Sequence, residues 1–345
     1  MDNRKLVTIK LDELMERGNN YSNKLDFSKI IWGVWSIGKD DYAGIDEQDA
    51  YCAIKTAIEL GFTTFDTAPS YGFGLSEEIL GNVINNYDRS SIQLITKCGF
   101  EWQNRKGSQY FSSFVNTDGR KRKYYLNLTK EGIIDQCNDS LKRLKTDYID
   151  LYSVHIYNQD SLLSEIAEAM TVLKKDGKIL YSGVSNYSLK DFEELNSHFD
   201  LVSNKRRYNL LNRIVEQEVP FYLANDKFIL AYDVLQRGIL TGRDYPPFYF
   251  KNDDPKLTRF YKPENKLVIN ELLNALTLIA IERNCTLTQL SIAWVLHQSA
   301  VSSVILAATS SLQVVDDARS GDVFLSQDDL GQINMILEEL LPKLK

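Results

Sequence analysis

Histidine is the scarcest chemically versatile residue here: His155, His198 and His297 are the only 3 in 345 positions. A three-histidine metal site would consume them all, and no two are spaced to share a helix face, so metal catalysis is not expected. Cysteine is sparse too. Cys52, Cys98, Cys137 and Cys285 stand far apart, which excludes the close pairing of a zinc site or a disulfide framework. No apolar run approaches the roughly 20 residues of a membrane span, and Met1-Asp2-Asn3-Arg4 lacks the apolar core of a signal peptide. A cytoplasmic protein without a membrane partner is the expectation. Positive charge is not in excess: 40 Lys+Arg against 47 Asp+Glu leaves a formal charge of -7, which argues against a nucleic-acid binder. A phosphate-binding P-loop is missing. So is the glycine fingerprint that a doubly wound dinucleotide fold carries after its first strand, Gly72-Phe73-Gly74 being only a partial match.

With 43% apolar and 25% charged residues, what remains describes an ordinary globular chain. Short apolar, β-branched runs mark strands at Ile30–Gly33, Thr63–Asp66, Gln93–Lys97, Tyr148–His155, Ile179–Ser185, Leu201–Tyr208, Phe228–Asp233 and Val304–Ala307. Between them, apolar residues three and four apart mark helices at Glu47–Leu60, Glu77–Tyr87, Lys130–Leu144, Leu162–Lys175, Leu189–Ser197, Val215–Asn225 and Leu267–Arg283. Ser76 and Thr129 stand where helix caps belong, and Gly61 and Gly177 where helices should stop. Eight alternations with strands apolar on both faces predict an α/β fold, a closed (β/α)8 TIM barrel. It forms a single domain over 1–345, with an N-terminal extension (1–27), a C-terminal helical tail (320–345) and long loops after strands three and seven. Those loops, 99–128 and 243–262, are rich in aromatics (Trp102, Tyr110, Phe111, Phe114, Tyr124, Tyr125; Tyr245, Phe248, Tyr249, Phe250, Phe260, Tyr261). They serve either as substrate walls or as packing on the barrel rim or at a subunit contact. The basic run Arg120–Lys123 reads as solvated loop.

In a barrel the C-terminal strand ends converge on one face. Asp66 ends the second strand, Lys97 the third and His155 the fourth, with Tyr71 in the loop after Asp66. A tyrosine exchanges protons poorly near neutrality unless a cation favours its phenolate. Lysine would supply that charge, aspartate would balance the lysine, and histidine would reach a substrate oxygen. The four together make an acid–base site for a carbonyl/alcohol pair.

The segments GFTTFDTAPSYGFGLSEEILG (61–81), ITKCG (95–99), SLKRLKTDYIDLY (140–152), GKILYSGVSN (177–186), YNLLNR (208–213) and GILTG (238–242) resemble the aldo-keto reductase superfamily. The likeness runs colinearly from about Ser28 to Arg319. It implies the catalytic tetrad Asp66, Tyr71, Lys97 and His155, and hydride transfer between NADP(H) and a small polar carbonyl or alcohol substrate, a sugar-like compound among the candidates. It also implies a cofactor site in which Ser185 and Asn186 bond the carboxamide and Tyr232 stacks on the ring. Leu235, Arg243, Thr309, Gln313 and Asp316 would lie along the rest of the nucleotide. Four departures stand out: Lys205 replaces a glutamine, Asp233-Val234 a Ser-Pro, Leu306-Ala307-Ala308 a Pro-Gly-Ala, and Asp316-Asp317 an acid–asparagine pair. Lys205 and Asp233, at neighbouring strand ends, are expected to pair across the nicotinamide pocket. NAD(H), or no cofactor, therefore stays open, as do non-redox acid–base chemistry and a nucleotide-sensing role resembling potassium-channel β subunits. His198 and His297 are expected to carry no chemistry, and the oligomeric state is not legible.

Overall fold

The computed structural model describes residues 25, 27–38, 46–102, 107–115, 121–156, 158–243, 259–307 and 309–345, with the side chains of 108–115 and 121–122 left aside. Eight parallel strands close into a barrel: β1 (Ile30–Gly33), β2 (Thr64–Asp66), β3 (Gln93–Cys98), β7 (Ile149–Val154), β8 (Ile179–Ser185), β9 (Ser203–Arg207), β10 (Phe228–Tyr232) and β11 (Val301–Ala307). β11 pairs with β1 to complete the ring. Each candidate strand is therefore observed, and the barrel expectation holds.

Strand parity explains what fills the barrel. Phe27, Ile31, Ile95, Leu151 and Leu230 form an apolar cluster of their own, separate from the larger core between strands and helices. Lys97 follows Ile95 by two residues and Lys205 pairs in register with Leu230, so both side chains point into the same interior. The lower barrel is thus apolar and its C-terminal mouth ionic.

Helices α1 (Glu47–Glu59), α2 (Leu75–Ile84), α3 (Lys130–Leu144), α4 (Leu163–Lys175), α5 (Leu189–His198), α6 (Val219–Ala224), α7 (Lys266–Glu282), α8 (Leu287–Leu296), α9 (Ser311–Ala318) and α10 (Gln327–Leu340) surround the strands. Thr129 caps α3 as expected, its hydroxyl accepting from the Gly132 N–H. Gly61 and Gly177 adopt the left-handed conformation just past α1 and α4.

Three expectations need correction. Ser76 is no cap: its hydroxyl donates to the Val34 carbonyl at 2.7 Å and pairs with Thr67, so the helix begins earlier, after a left-handed Gly74. The helix expected over Val215–Asn225 splits into a 3-10 turn (Ile214–Glu218) and α6, because Pro220 lacks an N–H and starts a helix better than it continues one. Residues 99–128 are not simply loop. β4 (Phe100–Glu101), β5 (Ser108–Val115) and β6 (Lys121–Leu126) form an antiparallel sheet in the order β4-β6-β5, as their aromatic content favours. Most aromatics of 243–262 lie outside the described residues; Phe260 is buried, and the Tyr261 hydroxyl donates to the Gln236 carbonyl at 3.0 Å.

Candidate active site

The turn between β2 and α2 carries Tyr71. Gly72, Phe73 and Gly74 all have positive φ (65°, 55°, 94°), a run that reverses the chain within three residues. A Cβ at Gly74 would lie 2.7 Å from Arg143 Cδ, so the glycine is required by space as well as conformation. Arg143 reaches this turn because it is held at 2.6 Å by Glu77, whose other carboxylate oxygen accepts from Thr96 on β3. An ion pair between the fully buried Glu77 and the half-buried Arg143 thereby ties the Tyr71 turn to the barrel.

Asp66, Lys97, Tyr71 and His155 meet at the mouth. Lys97 Nζ lies 3.2 Å from both Asp66 oxygens and 2.5 Å from the Thr67 carbonyl. The same ammonium sits 4.6 Å from the Tyr71 ring centre, over its face. Tyr71 and His155 are edge to face, with ring centres 5.8 Å apart. The His155 backbone donates to the Cys98 carbonyl at 2.9 Å, which fixes it beside the end of β3, and Nδ1 is 3.5 Å from Ser70 Oγ. Burial pushes the His155 imidazolium well below the usual histidine range, and the Lys97 and Lys205 ammoniums push it further. It is a neutral ring, with one N–H to give and one nitrogen to accept.

The phenol of Tyr71 does not follow the expectation that Lys97 makes it more acidic. Burial raises it, Asp66 raises it further, and the lysine that offsets them is Lys205. Lys97 binds the ring face, where a cation is held by the aromatic quadrupole. At neutral pH Tyr71 is therefore a proton-bearing group.

Lys205 and Asp233 do not pair. Lys205 Nζ donates to Asp66, while the Asp233 carboxylate meets Arg207 at 2.9 Å and the Arg237 N–H at 2.8 Å. Register gives the reason. Lys205 is level with Leu230, but Asp233 follows Tyr232, which is level with Arg207. The expected Lys205–Asp233 pair is absent, and the Asp233 carboxylate is answered locally by Arg207.

Ser185, Asn186, Lys205 and Tyr232 also gather. Ser185 pairs in register with Lys205, and the Tyr232 hydroxyl donates to Asn186 Oδ1 at 2.7 Å. Leu235 lies in the following turn, its carbonyl accepting from Gly238 and Leu240. Farther along, Thr309 donates to Gln313, and Gln313 donates to Asp317 at 3.2 Å. Burial raises the Asp317 carboxyl to about 6, Asp316 adds to the rise, and Arg243 opposes it, which puts Arg243 in the field of this group. Asp316 itself is engaged by Gln289 at 3.0 Å, so Asp317 is the acid of the pair that faces Gln313.

Sequence reasoning missed several neighbours. Arg207 lies 5.5 Å from the Tyr232 ring centre; its place two residues after Lys205, on the same face of β9, was the available signal. Phe100 sits 5.1 Å from the His155 ring, Tyr124 stacks on Phe73 at 4.5 Å, and the Tyr124 hydroxyl donates to the Ser70 carbonyl. The small sheet therefore supplies one aromatic wall of the mouth, a pairing no local pattern announces.

Residues 29–338 match the Aldo/keto reductase family model. The chain belongs to the aldo-keto reductase family. An aldo-keto reductase of Bacillus subtilis strain 168 is 31% identical over 321 residues, 92% of each chain. An NADH-specific methylglyoxal reductase of Escherichia coli K12 is 31% identical over 325 residues, 92% of this chain and 96% of that one. Among solved structures, the glycerol dehydrogenase of Gluconobacter oxydans superposes with a TM-score of 0.79 at 26% identity, covering 92% and 94% of the two chains. The protein is thus an oxidoreductase of the aldo-keto reductase type. Among the described residues, no helix is long and apolar enough to cross a membrane.

Proposed function

We propose that this aldo-keto reductase interconverts a carbonyl and an alcohol on a small polar substrate, using NADP(H), with Tyr71 as the proton-transferring group. The observation that carries the reading is the meeting of a protonated phenol, a neutral imidazole and a lysine–aspartate pair in one cleft at the strand ends. Small polar carbonyl compounds are the first class to try, since one relative is a methylglyoxal reductase and one structural neighbour a glycerol dehydrogenase.

The residues at the adjacent strand ends fit a nicotinamide. A hydroxyl (Ser185), a side-chain amide (Asn186) and an aromatic ring (Tyr232) lie together, the donor set suited to a carboxamide on a flat ring. The bound nucleotide would supply or take the hydride. The protein's own part is proton chemistry and orientation. His155 donates its N–H to the substrate oxygen and holds it beside Tyr71. As the carbonyl is reduced, negative charge develops on that oxygen, and Tyr71 Oη gives up its proton to make the alcohol. Lys205 offsets the charge of the phenolate left behind, and Lys97, held by Asp66, fixes the ring from its face. Phe100 and Tyr124 narrow the entrance and exclude water.

Titration with NADPH and NADH, followed by nucleotide fluorescence, and turnover of methylglyoxal and glyceraldehyde test the proposal. Saturable micromolar binding of NADPH with turnover is expected. Absence of binding at millimolar concentrations of either nucleotide overturns it, and saturation by NADH alone overturns the choice of NADP(H).

A further inference from the structure

The mouth of the barrel holds one carboxylate and two ammoniums. Lys97 Nζ and Lys205 Nζ both bind Asp66, with side-chain exposures of 1% and 6% against 5% for the acid. The next acid along, Asp233, is occupied by Arg207, and His155 is neutral. Among the described residues no second carboxylate pairs with either ammonium, so the floor of the cleft carries one unbalanced positive charge in a place from which water is excluded.

We propose that Lys205 makes the cleft discriminate between the redox states of its nucleotide, favouring the reduced form and weakening the oxidised one. This rests on the nicotinamide reading above. The reduced ring is neutral and the oxidised ring carries a full positive charge, while their phosphates, riboses and adenine are the same. Lys205 pairs in register with Ser185, one strand from Tyr232, and its charge reaches the Tyr71 phenol, the group beside which the reaction takes place. A cation at that position therefore acts on one redox state alone. Two unit charges a few ångströms apart, at the effective dielectric of a protein interior, alter affinity by about tenfold or more. The discrimination makes the bound nucleotide a weaker hydride donor by about 30 mV for each tenfold. Its benefit lies in release: spent nucleotide leaves readily and inhibits little when a carbonyl is being reduced.

The charge itself is conditional. The groups facing Lys205 are Asp66 on β2, Tyr71 in the turn after β2, Lys97 on β3 and His155 after β7. Burial lowers the Lys205 ammonium to about 8 and Lys97 lowers it further, against the pull of Asp66 and Tyr71. The discrimination should fade as pH rises past that value.

The test is the ratio of dissociation constants for oxidised and reduced nucleotide, by calorimetry and nucleotide fluorescence, in the wild type, Lys205→Gln and Lys205→Met. Near neutral pH the wild-type ratio should exceed that of both variants by about tenfold or more, mainly through weaker oxidised binding. At about pH 9.5 the wild-type ratio should approach theirs. Equal ratios in all three proteins at neutral pH overturn the proposal. If neither variant folds, a wild-type ratio that stays flat between the two pH values overturns it instead. A wild type that binds neither nucleotide at millimolar concentration defeats the parent reading and is distinguishable from either result.

Discussion

Replacing Lys205 by methionine should make the protein more stable at neutral pH. The ammonium is buried, shares its one counter-ion with Lys97, and is lowered by burial from 10.5 to about 8. At about 1.36 kcal/mol per pKa unit, holding it charged in the folded protein costs about 3 kcal/mol relative to the unfolded chain. Methionine keeps a similar unbranched stem and removes the charge, and Asp66 retains Lys97, so most of that figure should be recovered. The pH dependence has a definite sign. Between about pH 8 and 10.5 the unfolded lysine still binds its proton while the folded one does not, so wild-type stability rises with pH across that window. The wild-type deficit relative to Lys205→Met is therefore full below about pH 8 and gone above about 10.5. Urea denaturation of both proteins, followed by tryptophan fluorescence at stepped pH, gives the difference, since the titrations of groups remote from Lys205 cancel. A methionine variant less stable than wild type at neutral pH, or a difference that stays constant through the window, refutes the reasoning. Such a destabilising charge at the mouth of a site is what a trade-off between function and stability produces.

Tyr71→Phe should leave denaturation unchanged to within about 1 kcal/mol while lowering kcat by at least about a hundredfold, because it removes the transferable proton; near wild-type turnover would dismiss the assigned role. Arg143→Met should cost about 3–5 kcal/mol in urea denaturation, since it strands the buried Glu77 carboxylate; Glu77→Gln should cost less, because Arg143 is partly exposed, and the double variant should cost less than the two changes summed. His198 is exposed at the end of α5, so His198→Asn should be neutral in both stability and activity. His297 is likewise expected to carry no chemistry, yet it holds structure together: its Nδ1 lies 2.7 Å from the Ala293 carbonyl and its Nε2 accepts from the Leu325 N–H. His297→Asn should therefore lose about 1–3 kcal/mol of stability, with kcat of the folded protein unchanged.

Parts of this protein were legible one segment at a time. Each barrel strand announced itself by apolar residues, and most surface helices by their 3.6 period. α8 did not, because apolar residues surround it: Leu287, Leu290, Ile292, Ala293, Trp294 and Val295 are all buried, which erases the contrast between faces. The meeting of Asp66, Lys97, Tyr71 and His155 was readable once the barrel was recognised, since parity and strand ends alone converge them. The small sheet over the mouth was harder, because its strands belong to no alternation of strand and helix.

The sequence by itself determined the barrel, the order of its strands and the four residues at its mouth, since period, parity and chain order are local properties. Only the tertiary structure decided which charge answers which. Lys205 and Asp233 stand at neighbouring strand ends and invite pairing, yet one layer of the barrel separates them. Lys205 crosses the mouth to Asp66, and Arg207 takes Asp233. Charge partners are chosen by height and direction inside a closed barrel, and those quantities exist only after the ring has closed.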